Sequence, residues 1–206
     1  ARRQSELLGV PVVPVFWIAG EDHDWHEVSW VMVPAGEQAH RLALAERFDG
    51  ERRSVALAPM PPSVEALIAE FEALMPETEF KAEVMARVRE AASGPPALDP
   101  AATGGRPSLA DWFGRLMAWL FRGTGLVFLN ASDPALRRIE APFFAQVLER
   151  QREVEAALER GVTRWERQLG FTPTVDRFPG SLNLFIYIDG DRLPLVGEGD
   201  RVWVRG

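Results

Sequence analysis

The residues best suited to chemistry follow an apolar run near the start of the chain. The run is residues 15–18 (Val-Phe-Trp-Ile), and the ionisable side chains after it are Glu21, Asp22, His23, Asp24, His26 and Glu27. Carboxylates accept hydrogen bonds from hydroxyl and ammonium groups, and an imidazole exchanges a proton near neutral pH. The pattern favours a substrate or nucleotide site in the 20–24 loop, where carboxylates bind hydroxyl or amino groups and His23 handles a proton or phosphate charge.

Two other interpretations of these side chains stay open. One is a solvated turn that ends the strand, with its charges capping the next element. The other is a metal site, because His23 and His26 with the intervening carboxylates could bind zinc or a similar ion. His-x-x-His across a loop is a weak metal spacing, and the third histidine, His40, fits a strand pattern. We therefore expect no metal.

An unbroken apolar strand must position this loop. Residues 15–18 lack polar alternation, which predicts a strand covered on both faces, with Trp17 in the core, as in parallel sheets flanked by helices. Pro14 cannot donate to a ladder and marks the strand's start. Ligands of open α/β sheets bind beyond the carboxyl ends of the strands, so the 20–24 loop is expected at that edge.

A second unit, a helix followed by a strand, also ends in polar residues. Residues 108–121 show apolar positions at helical spacing behind a capping serine, and the apolar run 126–129 follows. If the two strands are parallel, Asn130 and Asp133 lie near the 20–24 loop and could bind substrate. The alternative is that both residues cap the next helix.

The rest of the first half fills out an α/β core and an insertion. Residues 1–60 and 108–140 are predicted to belong to the core, with a hairpin made by 29–33 and 39–44. Residues 61–107 are predicted to be an inserted helical segment and linker. Its parts are a helix at 63–74 capped by Ser63, a helix at 77–92, and a surface loop at 93–107.

The last third is predicted to be a helix followed by strands. Residues 141–170 form a long helix or arm, with a break suggested at Pro142. Residues 171–206 form a β-hairpin region, an antiparallel meander that returns to the core. Asn183, at the start of one of its strands, either satisfies backbone groups or reaches a ligand.

Composition excludes several classes. The chain has 206 residues, a formal charge of −7 and no cysteine. This balance argues against nucleic acid as a partner, and the single lysine, Lys81, leaves little for Schiff-base chemistry. An apolar run of about 20 residues, the length that crosses a membrane, is absent, so we expect a cytoplasmic protein with small-molecule partners. Because the sequence begins without Met and inside an element, we expect it to be a portion of a longer protein.

Four blocks resemble one enzyme family in the same order along the chain. They are 14–24 (Pro-Val-Phe-Trp-Ile-Ala-Gly-Glu-Asp-His-Asp) with Glu27, 108–117 (Ser-Leu-Ala-Asp-Trp-Phe-Gly-Arg-Leu-Met), 125–134 (Gly-Leu-Val-Phe-Leu-Asn-Ala-Ser-Asp-Pro) and 183–192 (Asn-Leu-Phe-Ile-Tyr-Ile-Asp-Gly-Asp-Arg). The chain is similar to the bacillithiol biosynthesis cysteine-adding enzymes. Gly-Glu-Asp-His also resembles the motif by which glutamyl-type class I aminoacyl-tRNA synthetases approach ATP.

The resemblance implies a fold, a reaction and a set of site residues. The fold is a Rossmann-like core of the nucleotidylyltransferase type with inserted helices and a helical coiled-coil domain that makes a homodimer. The reaction joins L-cysteine to glucosaminyl-malate in the cytoplasm, with ATP or ADP as the suspected nucleotide. The implied catalytic residues are Asp22, His23 and Asp24, and the implied substrate-binding residues are Gly20, Glu21, Asn130, Asp133 and Asn183.

Two alternatives come from other classes. The first is a metal-dependent hydrolase that uses the acidic and histidine residues between Glu21 and Glu27. The second is a non-catalytic assembly module whose helix over 141–168 acts as a dimer arm. The Gly-rich block with Thr and Gln that the family carries upstream is absent from this sequence. For that reason the isolated chain is not expected to have full activity.

Overall fold

The computed structural model describes residues 1–47, 53–98, 100–101, 103–173, 180–189, 191–198 and 201–204. The chain divides into two compact units, residues 1–134 and residues 135–206. The first unit mixes helices with two small sheets, and the second joins helices to a three-stranded antiparallel sheet. The mixture of helices and sheets is as predicted, the division into two units was not predicted, and the predicted meander lies in the second unit.

The elements follow one another in a helix-rich order. Those of the first unit are α1 (Arg2–Leu8), β1 (Val15–Ile18), α2 (Trp25–Val28), β2 (Trp30–Ala35), β3 (Gln38–Ala43), α3 (Val64–Leu74), α4 (Lys81–Ser93), α5 (Leu109–Leu120) and β4 (Val127–Asn130). Those that follow are α6 (Pro134–Glu149), α7 (Gln151–Leu169), β5 (Ser181–Ile188), β6 (Asp191–Glu198) and β7 (Arg201–Val204).

Strands β1 and β4 form a parallel pair, as the two apolar runs predicted. Val15 lies opposite Val127, and Ile18 opposite Asn130. The prediction that β1 is covered on both faces is wrong for the described part of the chain, because Trp17 is 44% exposed. Side chains alternate along a strand, so Ile18 turns to the core while Trp17 turns to the other face. An apolar sequence indicates that a strand can be buried, but it does not predict which elements pack against each of its faces.

Helix α5 packs across the buried face of this pair. Ile18 forms a small core with Ala56 and Ala110, and Phe16 and Phe128 pack against it. Ser108 caps the helix, as predicted, and it does so in a capping box with Asp111: the Asp111 amide donates to Ser108 Oγ (3.1 Å), and the Ser108 amide donates to Asp111 Oδ2 (2.8 Å). These reciprocal bonds satisfy two amides that the first helical turn leaves without partners. The helix start is therefore fixed where it meets the sheet.

The hairpin and the inserted helices are present at the predicted places, with shifted details. β2 extends through Pro34, which lies opposite Ala39, so the turn is shorter than the sequence suggested and Gly36 takes a left-handed φ of 62°. A two-stranded ladder leaves one edge of each strand unpaired, and proline is tolerated on such an edge. Helices α3 and α4 share a core with residues on both sides of them: Leu44, Met60, Val64, Ile68, Met85 and Ala92.

Two local predictions in the insertion are wrong. Ser63 stands at the start of α3 but makes no side-chain cap; its hydroxyl donates to Glu46 instead. The segment 93–107 is not a simple surface loop in its described part, because Thr103 is 1% exposed and Leu98 packs against the core around Ile18. Small and flexible residues gave no periodic signal, although some of them are buried.

The second unit contains two helices where one long helix was predicted. Pro142 lies inside α6, and Arg150 separates α6 from α7. The predicted break at Pro142 is wrong, because α6 continues through this residue. A proline removes one hydrogen bond from a helix but does not always end it. The meander is confirmed, with β5 and β6 antiparallel and β6 and β7 antiparallel. Among the described residues of the second unit, the buried apolar side chains are those of Val162 on α7, Leu182 on β5 and Val196 on β6.

Candidate functional site

The 20–24 loop leaves the carboxyl end of β1, where the sequence predicted it. The amide of Ala131 donates to the carbonyl of Ile18 (3.0 Å), which extends the parallel ladder past the end of both strands. The turn that follows β4 therefore starts beside the loop that follows β1. Parallel strands place their carboxyl ends at one edge, and ligands of such sheets bind there.

A segment more than thirty residues further along the chain fastens this loop. The Ser54 hydroxyl donates to the carbonyl of Gly20 (2.6 Å), and the Ala56 amide donates to the same carbonyl (2.8 Å). The Val55 amide donates to the carbonyl of Asp22 (2.9 Å). The loop backbone is thus bonded at two of its residues by tertiary contacts.

Gly20 is required by the closeness of this packing. A Cβ atom placed on Gly20 would lie 2.7 Å from Cβ of Ala56 and 3.1 Å from Cβ of Ala110. The first distance is too short for two carbon atoms, so any side chain at this position would push the two backbones apart. Gly20 therefore acts through its missing side chain, and its predicted contact with substrate stays a prediction.

Trp25 fixes the far end of the loop. It is 3% exposed, opens the short helix α2, and packs with Val55 and Ala58. Its indole N–H donates to the carbonyl of Arg53 (3.2 Å). The sequence reading treated this region as a loop followed by a strand, and a single turn of helix gave too short a pattern to detect.

Asp22 and His23 form a neighbouring acid and imidazole pair. The His23 amide donates to Asp22 Oδ1 (2.8 Å), and the same oxygen lies 3.3 Å from His23 Nδ1, although the angle there is not that of a hydrogen bond. The side chains are 33% exposed for His23 and 49% for Asp22. His23 Nδ1 is buried and makes no hydrogen bond within the described part of the chain. An acid beside an imidazole can orient the ring and stabilise its protonated form.

A cavity of about 640 Å³ opens beside the loop. Its walls are mainly apolar and come from β1, β2, α3 and α5, with aromatic contributions from Phe16, Trp17, Trp30, Trp112 and Phe113. Gly20 and three carboxylates, those of Asp22, Asp24 and Glu27, complete the lining. Glu21 and His23 are not among the described residues that line it. A mostly apolar cavity with a few polar groups on one side is typical of a small-molecule site.

Asn130 and Asp133 lie on the turn after β4. Oδ1 of Asn130 accepts a hydrogen bond from the Ser132 amide (3.0 Å), and its carbonyl accepts one from the Asp133 amide (3.1 Å). Asn130 therefore shapes the turn that leads into α6, but its side chain bonds to Ser132, which precedes the helix, so the capping alternative stays a prediction. A direct contact of Asn130 or Asp133 with substrate stays a prediction.

Asn183 lies in the second unit, at an irregularity of β5. Its φ is 52°, a left-handed value that asparagine tolerates better than most residues, and its amide donates to Ser181 Oγ (3.4 Å). The register of β5 against β6 shifts between Ser181 and Phe185. The local backbone explains the residue type, and its predicted role in substrate binding stays untested.

The histidines are not assembled into a metal site. His26 is 78% exposed beside Glu27, and His40 lies in β3 opposite Val33. Among the residues that the structure describes, no three His, Asp or Glu side chains come together in a way that could hold a metal ion. This geometry gives the metal-dependent hydrolase alternative no support.

Two buried serines went unnoticed as site residues in the sequence. Ser54 is fully buried and Ser132 is 9% exposed, and their hydroxyl oxygens lie 3.5 Å apart. Ser54 stands alone before the apolar run 55–58, and Ser132 lies between two other polar residues of a turn, Asn130 and Asp133. A serine that precedes apolar residues is a weak signal, because the same pattern occurs at many turns.

Comparison with known proteins assigns the family. The family model described as "Bacillithiol biosynthesis BshC, N-terminal Rossmann-like domain" matches residues 1–205. The chain belongs to this family. The Rossmann-like fold class that the four sequence blocks implied is thereby confirmed, whereas its finer nucleotidylyltransferase type is not.

Curated relatives agree with this assignment and carry the name "Putative cysteine ligase BshC". The relative from Symbiobacterium thermophilum is 79% identical over 206 residues, which cover all of this chain and 37% of that protein. The relatives from Shouchella clausii and Carboxydothermus hydrogenoformans are 34% and 30% identical and are covered to 36% and 35%. The chain thus spans little more than a third of the length of these relatives.

Within the described ranges, no helix combines the length and the apolar character that a membrane crossing needs.

Proposed function

We propose that this chain supplies one wall of the active site of a BshC-type cysteine ligase, which joins L-cysteine to glucosaminyl-malate in the cytoplasm. The observation that carries the proposal is the 20–24 loop: it lies at the carboxyl end of a parallel strand pair and presents Asp22 and Asp24 to a 640 Å³ cavity. Membership of the BshC family supports the identity of the substrates. The chain covers 37% of its relative's length, so the full site belongs to the longer protein.

The reaction needs groups that attract an ammonium ion and remove its protons. A carboxylate and an ammonium ion condense to an amide and water, so the nitrogen must lose two protons while the carboxyl carbon loses one oxygen. Asp22 and Asp24 attract the ammonium group of the amino sugar through their negative charge. His23 is not among the described residues that line the cavity, but its Nδ1 lies 3.3 Å from Asp22 Oδ1, so its proposed part is that of a base that receives one of these protons through Asp22.

The cavity walls suit the rest of such a substrate. Aromatic rings from β1, β2 and α5 offer flat apolar surfaces, and the acidic lining residues come from the 20–24 loop (Asp22, Asp24) and from α2 (Glu27). A ligand with an apolar body and a cationic or hydroxyl-bearing end matches this distribution. The carboxylates also disfavour ligands whose nearest group is an anion.

ATP or ADP is part of the proposal, but its phosphates do not fit this cavity. The described lining residues include three carboxylates and no lysine, arginine or histidine. Phosphate groups are bound by cationic side chains or by backbone amides at helix starts. We therefore derive no step through the nucleotide, and we expect the part of the cavity described above to hold the acceptor substrate.

The first experiment replaces the two paired residues in a full-length protein that contains this chain. Asp22→Asn and His23→Ala are each expected to lower kcat by about 100-fold or more, because each removes a group that acts on the moving proton. Product formation from L-cysteine and glucosaminyl-malate is followed by mass spectrometry. His40→Ala is the matched control, since His40 lies in β3 opposite Val33, outside the 20–24 loop, and does not line the cavity. Undiminished turnover of both site variants would refute the assignment.

Homodimer formation through the helical segment is a second part of the proposal. Helix α7 carries apolar side chains at intervals of three or four residues, and several of them are solvent-exposed: Val154, Trp165 and Leu169 are 36%, 45% and 54% exposed. We expect sedimentation analysis of the full-length protein to give a dimer, and Leu169→Glu to shift it toward monomer. A monomer at all concentrations would remove this part of the proposal.

A further inference from the structure

Three contacts between four residues connect the end of β4 to the end of β1. The chain of contacts runs from the Asn130 amide oxygen to the Ser132 backbone amide, from the Ser132 hydroxyl to the Ser54 hydroxyl, and from there to the Gly20 carbonyl. Both serines are buried, Ser54 completely. The two loops at the proposed active-site edge are thus joined through the interior.

The donors in this chain can be assigned from the chemistry of a hydroxyl group. Each hydroxyl has one proton and two lone pairs. The 2.6 Å contact with the Gly20 carbonyl, which cannot donate, uses the only proton of Ser54. In the contact with Ser132, whose hydroxyl oxygen lies 3.5 Å away at the long limit of a hydrogen bond, Ser54 Oγ can then only accept. Because Ser54 Oγ takes part in both contacts, loss of its hydroxyl removes two contacts at once.

The position of Ser54 makes this more than a general packing contact. Ser54 is followed by Val55, whose amide donates to the Asp22 carbonyl, and by Ala56, whose amide donates to the Gly20 carbonyl. Gly20 and Asp22 flank Glu21 and lead directly into His23. A change in the direction of the Gly20 carbonyl therefore rotates the peptides that carry Asp22 and His23.

We propose that Ser54 is a positioning residue of the cysteine ligase, which sets the orientation of Asp22 and His23 through the Gly20 carbonyl. The inference rests on the proposed function. Ser54 touches no substrate, since it is buried and is not among the described residues that line the cavity. Its effect is expected on the rate of the chemical step and not on the affinity for substrate, because a displaced catalytic group loses alignment before the cavity loses its walls.

The experiment uses the full-length protein with Ser54→Ala. We expect kcat to fall about tenfold or more while KM for both substrates changes by less than about twofold. Ser132→Ala removes only the donor to Ser54, so we expect a smaller fall in kcat, by about threefold. This variant also keeps the test valid if Ser54→Ala does not fold.

Ser63→Ala is the matched control for stability. Ser63 also bonds through its hydroxyl to a distant residue, Glu46, but it lies at the start of α3 and does not line the cavity. We expect Ser63→Ala to lower Tm without changing kcat. Ser54→Cys, which keeps a weak donor, is expected to recover part of the rate lost in Ser54→Ala.

The outcomes separate the two levels of the proposal. If the wild-type full-length protein forms no product from L-cysteine and glucosaminyl-malate, the proposed function fails and the role of Ser54 falls with it. If the wild type is active and Ser54→Ala keeps its kcat, or loses no more than Ser63→Ala does, the positioning role is refuted while the function stands. A fall in kcat confined to the Ser54 and Ser132 variants supports the role.

Discussion

The 20–24 loop and the β5–β7 sheet differ in what fixes their backbones. The loop is bonded by the 53–56 segment at Gly20 and Asp22, and the strand before it buries Ile18 to 9% exposure. The sheet is held mainly by its own ladders; Leu182 and Val196 are buried, but four consecutive side chains of β5, those of residues 185–188, are between 38% and 46% exposed. The difference shows that the chemically important loop depends on tertiary contacts, whereas the sheet depends on local pairing.

The largest expected contrast is between two isoleucines, one in each region. Ile18→Ala removes a buried side chain beside Ala56 and Ala110, and we expect it to cost about 2–4 kcal/mol in the free energy of unfolding. Ile186 is 41% exposed, so Ile186→Ala should cost less than about 1 kcal/mol. Urea unfolding of the 206-residue chain, followed by circular dichroism, measures both. Equal losses would contradict the comparison.

Two glycines are expected to respond with opposite signs. Gly20→Ala places Cβ 2.7 Å from Ala56 Cβ, so we expect a loss of about 1–3 kcal/mol in stability. Gly161 lies within α7 with no atom within 4 Å of its Cβ position, so Gly161→Ala should gain about 0.5–1 kcal/mol. The same urea experiment compares them. A stable Gly20→Ala variant would show that the 53–56 segment can move away from the loop.

The capping box of α5 is expected to give a smaller effect. Ser108→Ala removes the side-chain bond to the Asp111 amide and should cost about 1 kcal/mol. Ser93→Ala is the control, because Ser93 bonds to carbonyls at the exposed end of α4 and should cost about 0.5 kcal/mol or less. Thermal unfolding distinguishes them. If both variants lose the same stability, the start of α5 is not a special support of the core around Ile18.

The smallest expected effect is a pH dependence that differs between the units. A hydrogen bond from Arg89 lowers the pKa of Glu72, and this pair joins α3 to α4. A hydrogen bond from Arg150 lowers the pKa of Glu153, and these two residues are only three positions apart in the chain. A carboxylate with a lowered pKa stabilises the fold above its unfolded pKa, near 4.5, and loses that contribution as the pH falls through the folded value.

Glu72→Gln should therefore flatten the acid side of the stability curve more than Glu153→Gln. The Glu72 pair connects two helices, whereas the Glu153 pair spans three residues, and a local pair also forms in part in the unfolded chain. Both pairs are exposed, so high salt should shrink the difference. Urea unfolding between pH 3 and pH 6, with and without salt, makes the measurement. Identical curves for the two variants would contradict the expectation.

Much of the fold could be predicted because its signals are local. The strand over residues 15–18, the capping serine at 108 and the antiparallel meander all follow from apolar spacing and turn residues. The end of α6 could not be predicted, because Pro142 is a strong local signal that tertiary context overrides. The exposure of one face of β1 could not be predicted either, because the apolar residues of a strand do not reveal which elements pack against it.

The position of the candidate site could be predicted from the sequence, but the contacts that hold its loop in place could not. Asp22 and Asp24 do reach a cavity, because a parallel strand pair brings its loops to one edge. Ser54 was not predictable, since its role arises from a contact across 34 residues of sequence. Asn130 shows the converse, because its amide oxygen serves the local turn whatever else the residue binds.

The paired amides of Val55 and Ala56 also bear on how this protein can change in evolution. They bond to the carbonyls of Asp22 and Gly20, so the number of residues between these two carbonyls is fixed by the geometry of the neighbouring segment. Substitution of Glu21 leaves that number unchanged, whereas an insertion or deletion there breaks one of the two bonds. Sequence drift in this loop should therefore proceed by replacement at constant length, and a length change should require a matching change around residues 53–56.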